Sequence, residues 1–140
     1  GGHRGGGSMT APNPEAVRRC LRGALADAGV GPADVDAING HLTATGADPR
    51  EVAAWADALE REPGALPPIT STKSMIGHAL GAAGAIEAVA NCEDVHPEIA
   101  PHAGSIPHEL QVRPELRTVA KAGFGFGDVN ACLVFRKWDA

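Results

Sequence analysis

From Gly77 to Ala90 the chain is apolar on nearly every side and built mostly from glycine and alanine. Helical periodicity over that stretch predicts a helix that must be buried all round. Neighbours can then approach closely, because small side chains leave little between backbones. The composition agrees: aromatic residues are 4% of the chain, against 18 glycines and a hydrophobic content of 44%. Such a core is expected to be close-packed small side chains, with helices lying tightly on a sheet. The 140 residues suffice for one modest domain with its own core.

The rest of the pattern alternates. Pro14 to Ala28 reads as a helix, with Asn13 as its cap, Pro14 in the first turn and Gly29 as its stop. Val17, Leu21, Ala24, Leu25 and Ala28 form its apolar stripe, and Arg18, Arg19 and Arg22 a solvated face or a docking patch. Val35 to Asn39 is a predicted strand. Asp48-Pro49 is expected to cap a second helix reaching about Glu60, burying Val52, Ala53, Trp55, Ala56 and Leu59. Pro63-Gly64 and Pro67-Pro68 mark a loop before a strand at Ile69 to Thr72. Asn91 to Pro114, punctuated by Pro97, Pro101, Pro107 and Pro114, reads as a long loop. Strands at Arg117 to Ala122 and Ala131 to Phe135 close the chain. This alternation predicts an α/β class. There is no internal repeat.

Several function classes recede. A net charge of −5 argues against general nucleic-acid binding. No apolar run approaches the ~18 residues of a membrane span, and no signal-peptide pattern is present. Cys20, Cys92 and Cys132 are odd in number and form no CxxC pair, so a reduced, cytoplasmic protein is expected. Gly1-Gly2-His3-Arg4-Gly5-Gly6-Gly7-Ser8 reads as a linker, the stub of something longer or a cloning remnant. The expected organisation is a flexible tail over 1–10 and a folded unit over 11–140.

Two histidines then stand out. His41 follows the first predicted strand, in Ile38-Asn39-Gly40-His41-Leu42-Thr43-Ala44-Thr45. Ligands favour that carboxyl edge of α/β sheets. Thr43 and Thr45 could hold a polar ligand arm or only cap a turn. His78 ends Thr70-Ser71-Thr72-Lys73-Ser74-Met75-Ile76-Gly77-His78 and opens the buried helix. A neutral imidazole there could donate to a developing oxyanion, or merely cap the helix. Two imidazoles aimed at one carbonyl oxygen are equipment for enolate stabilisation. Lys73, expected on a strand, needs a partner if buried, for which Glu87 is the candidate. Gly123-Phe124-Gly125-Phe126-Gly127 is no dinucleotide fingerprint, since its third glycine comes one position early. It could present backbone N–H groups with Phe124 as an apolar gate, or be a tight hairpin. Cys92, His96, His102 and His108 invite a metal reading but match no standard zinc spacing.

Together these blocks resemble the β-ketoacyl-acyl-carrier-protein synthases of the thiolase-like superfamily, in their C-terminal half. The match rests on Asn-x-His-x-Thr-x-Thr at His41, Lys-Ser-Met-x-Gly-His-x-x-Gly-Ala-Ala-Gly at Lys73 to Gly84, and Gly-Phe-Gly-Phe-Gly at 123–127. Met9-Thr10-Ala11-Pro12 also looks like the loop before the family's helix. The resemblance implies a mixed β-sheet with helices packed on it. It implies a decarboxylating Claisen condensation of malonyl-acyl carrier protein with an acyl thioester, in fatty-acid or polyketide synthesis. His41 and His78 would bond the thioester oxygen, and Lys73 with Glu87 would order His78. Thr43 and Thr45 would contact the pantetheine arm. Phe124 would gate the acyl pocket and, beside Gly125, supply an oxyanion N–H. No cofactor is implied beyond the phosphopantetheine of the carrier protein. The implied partners are that carrier protein and an N-terminal half or synthase partner. The full-length family is homodimeric.

The chain departs from that pattern in four ways. The family's nucleophilic cysteine lies in the other half, and none of the three cysteines here has a glycine-lined, helix-N-terminal setting. Leu42 and Asp128 stand where glycines are usual. The segment after Ala90 is shortened, which would remove one strand. Three readings compete: a synthase fragment inactive alone, a non-catalytic synthase partner or carrier-protein-binding half-domain, and a metal-binding module at Cys92 to His108. Retention of both histidines and Lys73 favours the first.

Overall fold

The computed structural model describes residues 12–62, 64–73, 77–80, 97–107 and 112–138. Helix α1 (Pro14–Ala28) begins as its sequence predicts: the Asn13 side chain accepts from the N–H groups of Glu15 and Ala16. Those donors have no partner within the helix, so the cap satisfies them. Val17, Leu21 and Leu25 recur at helical spacing and are buried. At the other end Gly29 adopts φ 62°, and the N–H groups of Gly29 and Val30 return to the carbonyls of Ala26 and Leu25.

Among the described residues follow strand β1 (Ala37–Asn39), helix α2 (Asp48–Ala58), and strands β2 (Ile69–Thr70), β3 (Thr118–Gly125) and β4 (Val129–Arg136), besides two 3₁₀ segments. The four strands form one mixed sheet in the order β2-β1-β3-β4. β1 runs parallel to both β2 and β3, and β3 pairs with β4 as an antiparallel hairpin. The register places Ile38 between Ile69 and Ala120. Asp36 fixes the start of that register, accepting from the N–H groups of Arg117 and Thr118 at 2.9 Å each.

Along β3, Thr118, Ala120, Ala122 and Phe124 are buried while the residues between them are less so. α1 packs against both α2 and β4. The alanines on β3 have no exposed surface at all. Ile38, Ile69, Ala120, Ala122 and Phe124 share one core with Leu21, Leu25, Val52, Trp55 and Leu59. On β4 the alternate set Val129, Leu133 and Phe135 is exposed. Arg18 and Arg22, expected on a solvated face, meet Asp57 of α2 at 3.1 and 3.2 Å.

Five expectations need correcting. The Asn91–Pro114 stretch is not all loop: Pro97–Ser105 is a 3₁₀ helix that buries Ile99 and His102, and Ser105 donates to the Leu66 carbonyl at 2.6 Å. Ala53 is exposed, because α2 turns its Ala54–Ala58 side inward instead. Gly123-Phe124-Gly125 belongs to β3, and the turn proper is 126–128, with Gly127 and Asp128 both left-handed. Lys73 lies beyond β2, not on a strand. Of the predicted buried Gly77–Ala90 helix, residues 77–79 are not helical and His78 and Leu80 are exposed, while residues 81–90 lie outside the described residues.

Candidate active site

His41 lies just past the carboxyl end of β1, where the Gly40 N–H still donates to the Thr70 carbonyl. The loop that follows has no strand partner, so its amides need other acceptors. Helix α2 supplies them. Glu51 accepts the N–H of His41 at 2.6 Å and of Leu42 at 2.9 Å. Asp48 accepts the N–H of Thr43 and of Ala44, each at 3.0 Å. From the other side the Ser71 hydroxyl donates to the carbonyl of Leu42 at 3.0 Å and approaches that of His41 at 3.4 Å.

Asp48 was expected as a helix cap; it is instead the first helical residue, with its carboxylate turned back onto the loop. Glu51 is buried, and that desolvation pushes its carboxyl up to about 7. The N–H groups of Leu42 and His41 and the Trp55 indole pull it the other way, while Asp48 adds to the rise.

His78 reaches the same place from β2. The Gly77 N–H donates to the Lys73 carbonyl at 2.9 Å, and Gly77 takes φ 73°, a conformation glycine adopts without cost. The His41 and His78 rings then stand 5.3 Å apart, edge to face at 82°. The Leu80 N–H donates to His78 Nδ1 at 3.1 Å. An Nδ1 that accepts leaves the proton on Nε2, which makes Nε2 the available donor. Phe124, buried near the end of β3, places its ring 5.7 Å from that of His41. His41, past the end of β1, thus has ring contacts with two other sequence-predicted residues, His78 beyond β2 and Phe124 on β3.

The remaining candidates fall nearby or outside. The Thr43 and Thr45 hydroxyls lie 3.1 Å apart. Thr45 also caps the turn into α2, accepting the Ala47 N–H on its hydroxyl and the Asp48 N–H on its carbonyl. Lys73 is buried, and its N–H donates to the Ser71 hydroxyl at 3.4 Å. Glu87, its expected partner, lies outside the described residues. Gly125 ends β3, and a Cβ there would stand 3.3 Å from the Val129 carbonyl.

Neither described cysteine resembles an activated nucleophile. Burial raises the Cys20 thiol, and burial with the Cys20 sulfur nearby pushes Cys132 up to about 12, Lys121 opposing. Of the metal candidates, Cys92, His96 and His108 lie outside the described residues. His102 is buried in the 3₁₀ helix, and burial lowers its pKa. Among the described residues no group of three or more His, Cys, Asp or Glu side chains could hold a metal ion.

Glu51 and Ser71 escaped the sequence reading. The signal for Glu51 was present: Asp48, Glu51 and Trp55 share one face of α2, so a carboxylate falls beside the stripe that buries Val52, Trp55 and Leu59. A carboxylate there needs donors, and the neighbouring loop has them. Ser71 carried no comparable signal.

Comparison with known proteins places this fold in a family. The family described as "Beta-ketoacyl synthase, C-terminal domain" matches residues 2–106, a range that ends before the Gly-Phe-Gly-Phe-Gly block. A 3-oxoacyl-[acyl-carrier-protein] synthase 2 of Rhizobium meliloti (strain 1021) is 38% identical over 144 residues, covering 93% of this chain and 34% of the relative. The chain thus spans about a third of the length of that relative. A β-ketoacyl synthase crystal structure from Burkholderia phymatum STM815 superposes with a TM-score of 0.81 at 32% identity, covering 99% of this chain and 36% of that one. A type II polyketide-synthase ketosynthase in complex with its acyl-carrier protein, bound to the hexaketide, gives a TM-score of 0.79 at 28% identity, covering 94% and 36%. With the family match over most of its length and a superposable fold, the chain belongs to the β-ketoacyl synthase C-terminal domain family.

Proposed function

We propose that this chain carries the decarboxylating half of a β-ketoacyl-acyl-carrier-protein synthase site. The observation that supports this is the His41–His78 pair, 5.3 Å apart beyond the carboxyl ends of β1 and β2. In the reaction, the bond between the malonyl α-carbon and its carboxylate breaks and CO2 leaves. The electron pair moves onto the thioester oxygen as an enolate. Two imidazole N–H donors aimed at that oxygen stabilise the charge as it develops. His78 Nε2–H is one such donor. The enolate carbon would then attack an acyl thioester held on a cysteine, expelling the thiolate.

No described thiol suits that last step, so the nucleophile is assigned to another half of the synthase. The substrate would arrive on the phosphopantetheine of an acyl carrier protein in the cytoplasm, with Thr43 and Thr45 on its arm and Phe124 at the acyl pocket. The carrier-protein complex of a structural relative supports that partner. The alternative is a non-catalytic synthase partner or carrier-binding half-domain, with which the raised Cys20 and Cys132 thiols are equally compatible.

The test is CO2 release from malonyl-carrier protein by the full chain, alongside a condensation assay. We expect slow decarboxylation, reduced about 10²-fold or more by His41→Ala or His78→Ala, and no condensation. Condensation by the chain alone would overturn the nucleophile argument. Carrier-protein binding without any histidine-dependent decarboxylation would select the second reading.

A further inference from the structure

We propose that Cys20 and Cys132 form a dithiol pair that a small-molecule disulfide oxidises into a bridge between α1 and β4. The two share no sequence motif; the fold brings them together. The hydrogen bond from the Asn13 N–H to the Asp128 carboxylate ties the start of α1 to the turn that opens β4. From that tie α1 rises about 1.5 Å per residue, which carries Cys20 ~10 Å along it. β4 rises about 3.4 Å per residue, which carries Cys132 ~14 Å along. The two elements pack on each other, so both thiols come within one helical turn of the same level.

Each side chain also faces the other element. Ala16, Cys20 and Ala24 recur along one flank of α1, beside the buried stripe of Val17, Leu21 and Leu25. Arg18 and Arg22, on the other flank, reach Asp57 of α2. α1 packs on both α2 and β4, so the Cys20 flank is the one that meets the strand. Cys132 stands opposite Ala122, which is fully buried. Residues directly opposite in an antiparallel pair share a face, and Cys132 packs against the same core as Ala122. The alanines on either side of Cys20 let the helix lie close to β4. Both thiols are free and half-buried. Besides burial, the nearby Cys20 sulfur opposes ionisation of Cys132.

The chemistry is thiol–disulfide exchange. Cys20, the less deeply buried of the two, loses its proton and attacks one sulfur of a disulfide such as oxidised glutathione. One thiolate leaves and takes up a proton, and Cys20 is held as a mixed disulfide. Cys132 then gives up its proton and attacks the Cys20 Sγ, expelling the second thiolate. Two thiols are oxidised to one disulfide, and the small disulfide is reduced to two thiols. Burial keeps both protein thiols protonated, which slows the exchange. It also denies the reduced pair the thiolate stabilisation that makes a disulfide strongly oxidising, so the bridge persists once made. β4 pairs with β3, whose Phe124 meets His41. The bridge therefore ties α1 to the hairpin that borders the site.

The test is incubation of the full chain with oxidised glutathione, then peptide mass spectrometry without reduction and thermal unfolding. We expect a Cys20–Cys132 bridge, lighter than the dithiol by two hydrogens, as the main product of the folded chain. Because it closes a long loop, the bridge should raise Tm by about 5 °C or more, and a reductant should abolish that rise. Cys20→Ser, treated in the same way, should gain neither the bridge nor the rise in Tm. Glutathione adducts on both cysteines without a bridge, pairing of either with Cys92 instead, or a bridge that forms only in urea overturns the assignment. So does a bridge that lowers Tm, which would mean that α1 and β4 must be pulled out of place to make it.

Discussion

The Asp128 carboxylate, in the β3–β4 turn, accepts the backbone N–H of Asn13 at 2.9 Å across 115 residues of chain. Asn13 is itself the cap of α1, so the hairpin turn holds the residue that starts the helix. Asp128 is buried at φ 66°, a conformation that Asp and Asn tolerate better than most residues. Asn130 Nδ2 donates to the same Oδ1 at 3.3 Å, whereas Oδ2 is buried with no hydrogen-bond partner among the described residues. This turn explains how the fold accommodates a residue other than glycine at this position. Asp128→Ala is expected to lose about 1–2 kcal/mol, through the unpaired Asn13 N–H and the left-handed alanine. Asp128→Asn keeps the acceptor and removes a buried charge, so it should match or exceed wild type. Urea unfolding of the three chains checks both; an undiminished Asp128→Ala midpoint would show that the tie carries no stability.

Helix α2 ends on the same hydrogen-bonded motif as α1 but with a different residue. The Glu60 and Arg61 N–H groups return to the carbonyls of Asp57 and Ala56, with Glu60 at φ 53°. In α1 that position belongs to Gly29. A left-handed non-glycine residue costs about 1–2 kcal/mol, against roughly 0.5–1 kcal/mol of extra chain entropy for glycine. Removing a negative charge from a helix C-terminus adds a few tenths more. Glu60→Gly should therefore stabilise the chain by about 1 kcal/mol, read as a rise in Tm of about 3 °C or more. A lowered Tm would mean that the Glu60 side chain makes a contribution its exposure does not suggest.

The sequence made α1 legible to the residue, because its signals are local: Asn13, Pro14, the Val17–Leu21–Leu25 stripe and Gly29 each act within one turn. β1 and β2 came out shorter than expected. Their pairing, not their composition, decides where they stop, and β2 pairs with β1 over only two residues. The Pro-rich stretch after residue 96 hid a 3₁₀ helix, since Pro101 interrupts any helical period. The site divided along the same line. His41, His78 and Phe124 were found because each sits in a short distinctive block. Glu51 was not, because its only signal was a carboxylate beside the apolar stripe of α2, and the amides it accepts lie ten and nine residues away.

The described thiols give a further check on the proposal that the nucleophile belongs to another half of the synthase. With its pKa near 12, Cys132 would hold only about one part in 10⁴ as thiolate at pH 8, where an ordinary cysteine holds a substantial fraction. Alkylation by iodoacetamide should therefore modify Cys20 and Cys132 at least about 10-fold more slowly in the folded chain than in urea. Peptide mass spectrometry resolves the sites. Rapid modification of Cys132 in the folded chain would reopen the question of a nucleophile in this half.

Glu51 links the site to stability through pH. Its carboxyl titrates near 7 in the folded chain and near 4.5 when unfolded, with burial as the main cause. Between those values the folded state holds the proton and the unfolded state does not. Stability therefore falls as pH rises through that window, and is flat in this respect below 4.5 and above 7. The full span corresponds to ~3 kcal/mol. The His41 loop needs the opposite: the ionised carboxylate accepts both amides strongly, while the hydroxyl oxygen of the protonated acid is the weaker acceptor. The site is thus held best where this residue costs the fold most. Glu51→Gln cannot titrate, so its stability relative to wild type should improve by ~3 kcal/mol between pH 4 and pH 8. Urea unfolding of both chains at several pH values measures that difference. A constant offset would mean that Glu51 titrates alike in the folded and unfolded chains, the amides of His41 and Leu42 offsetting its burial.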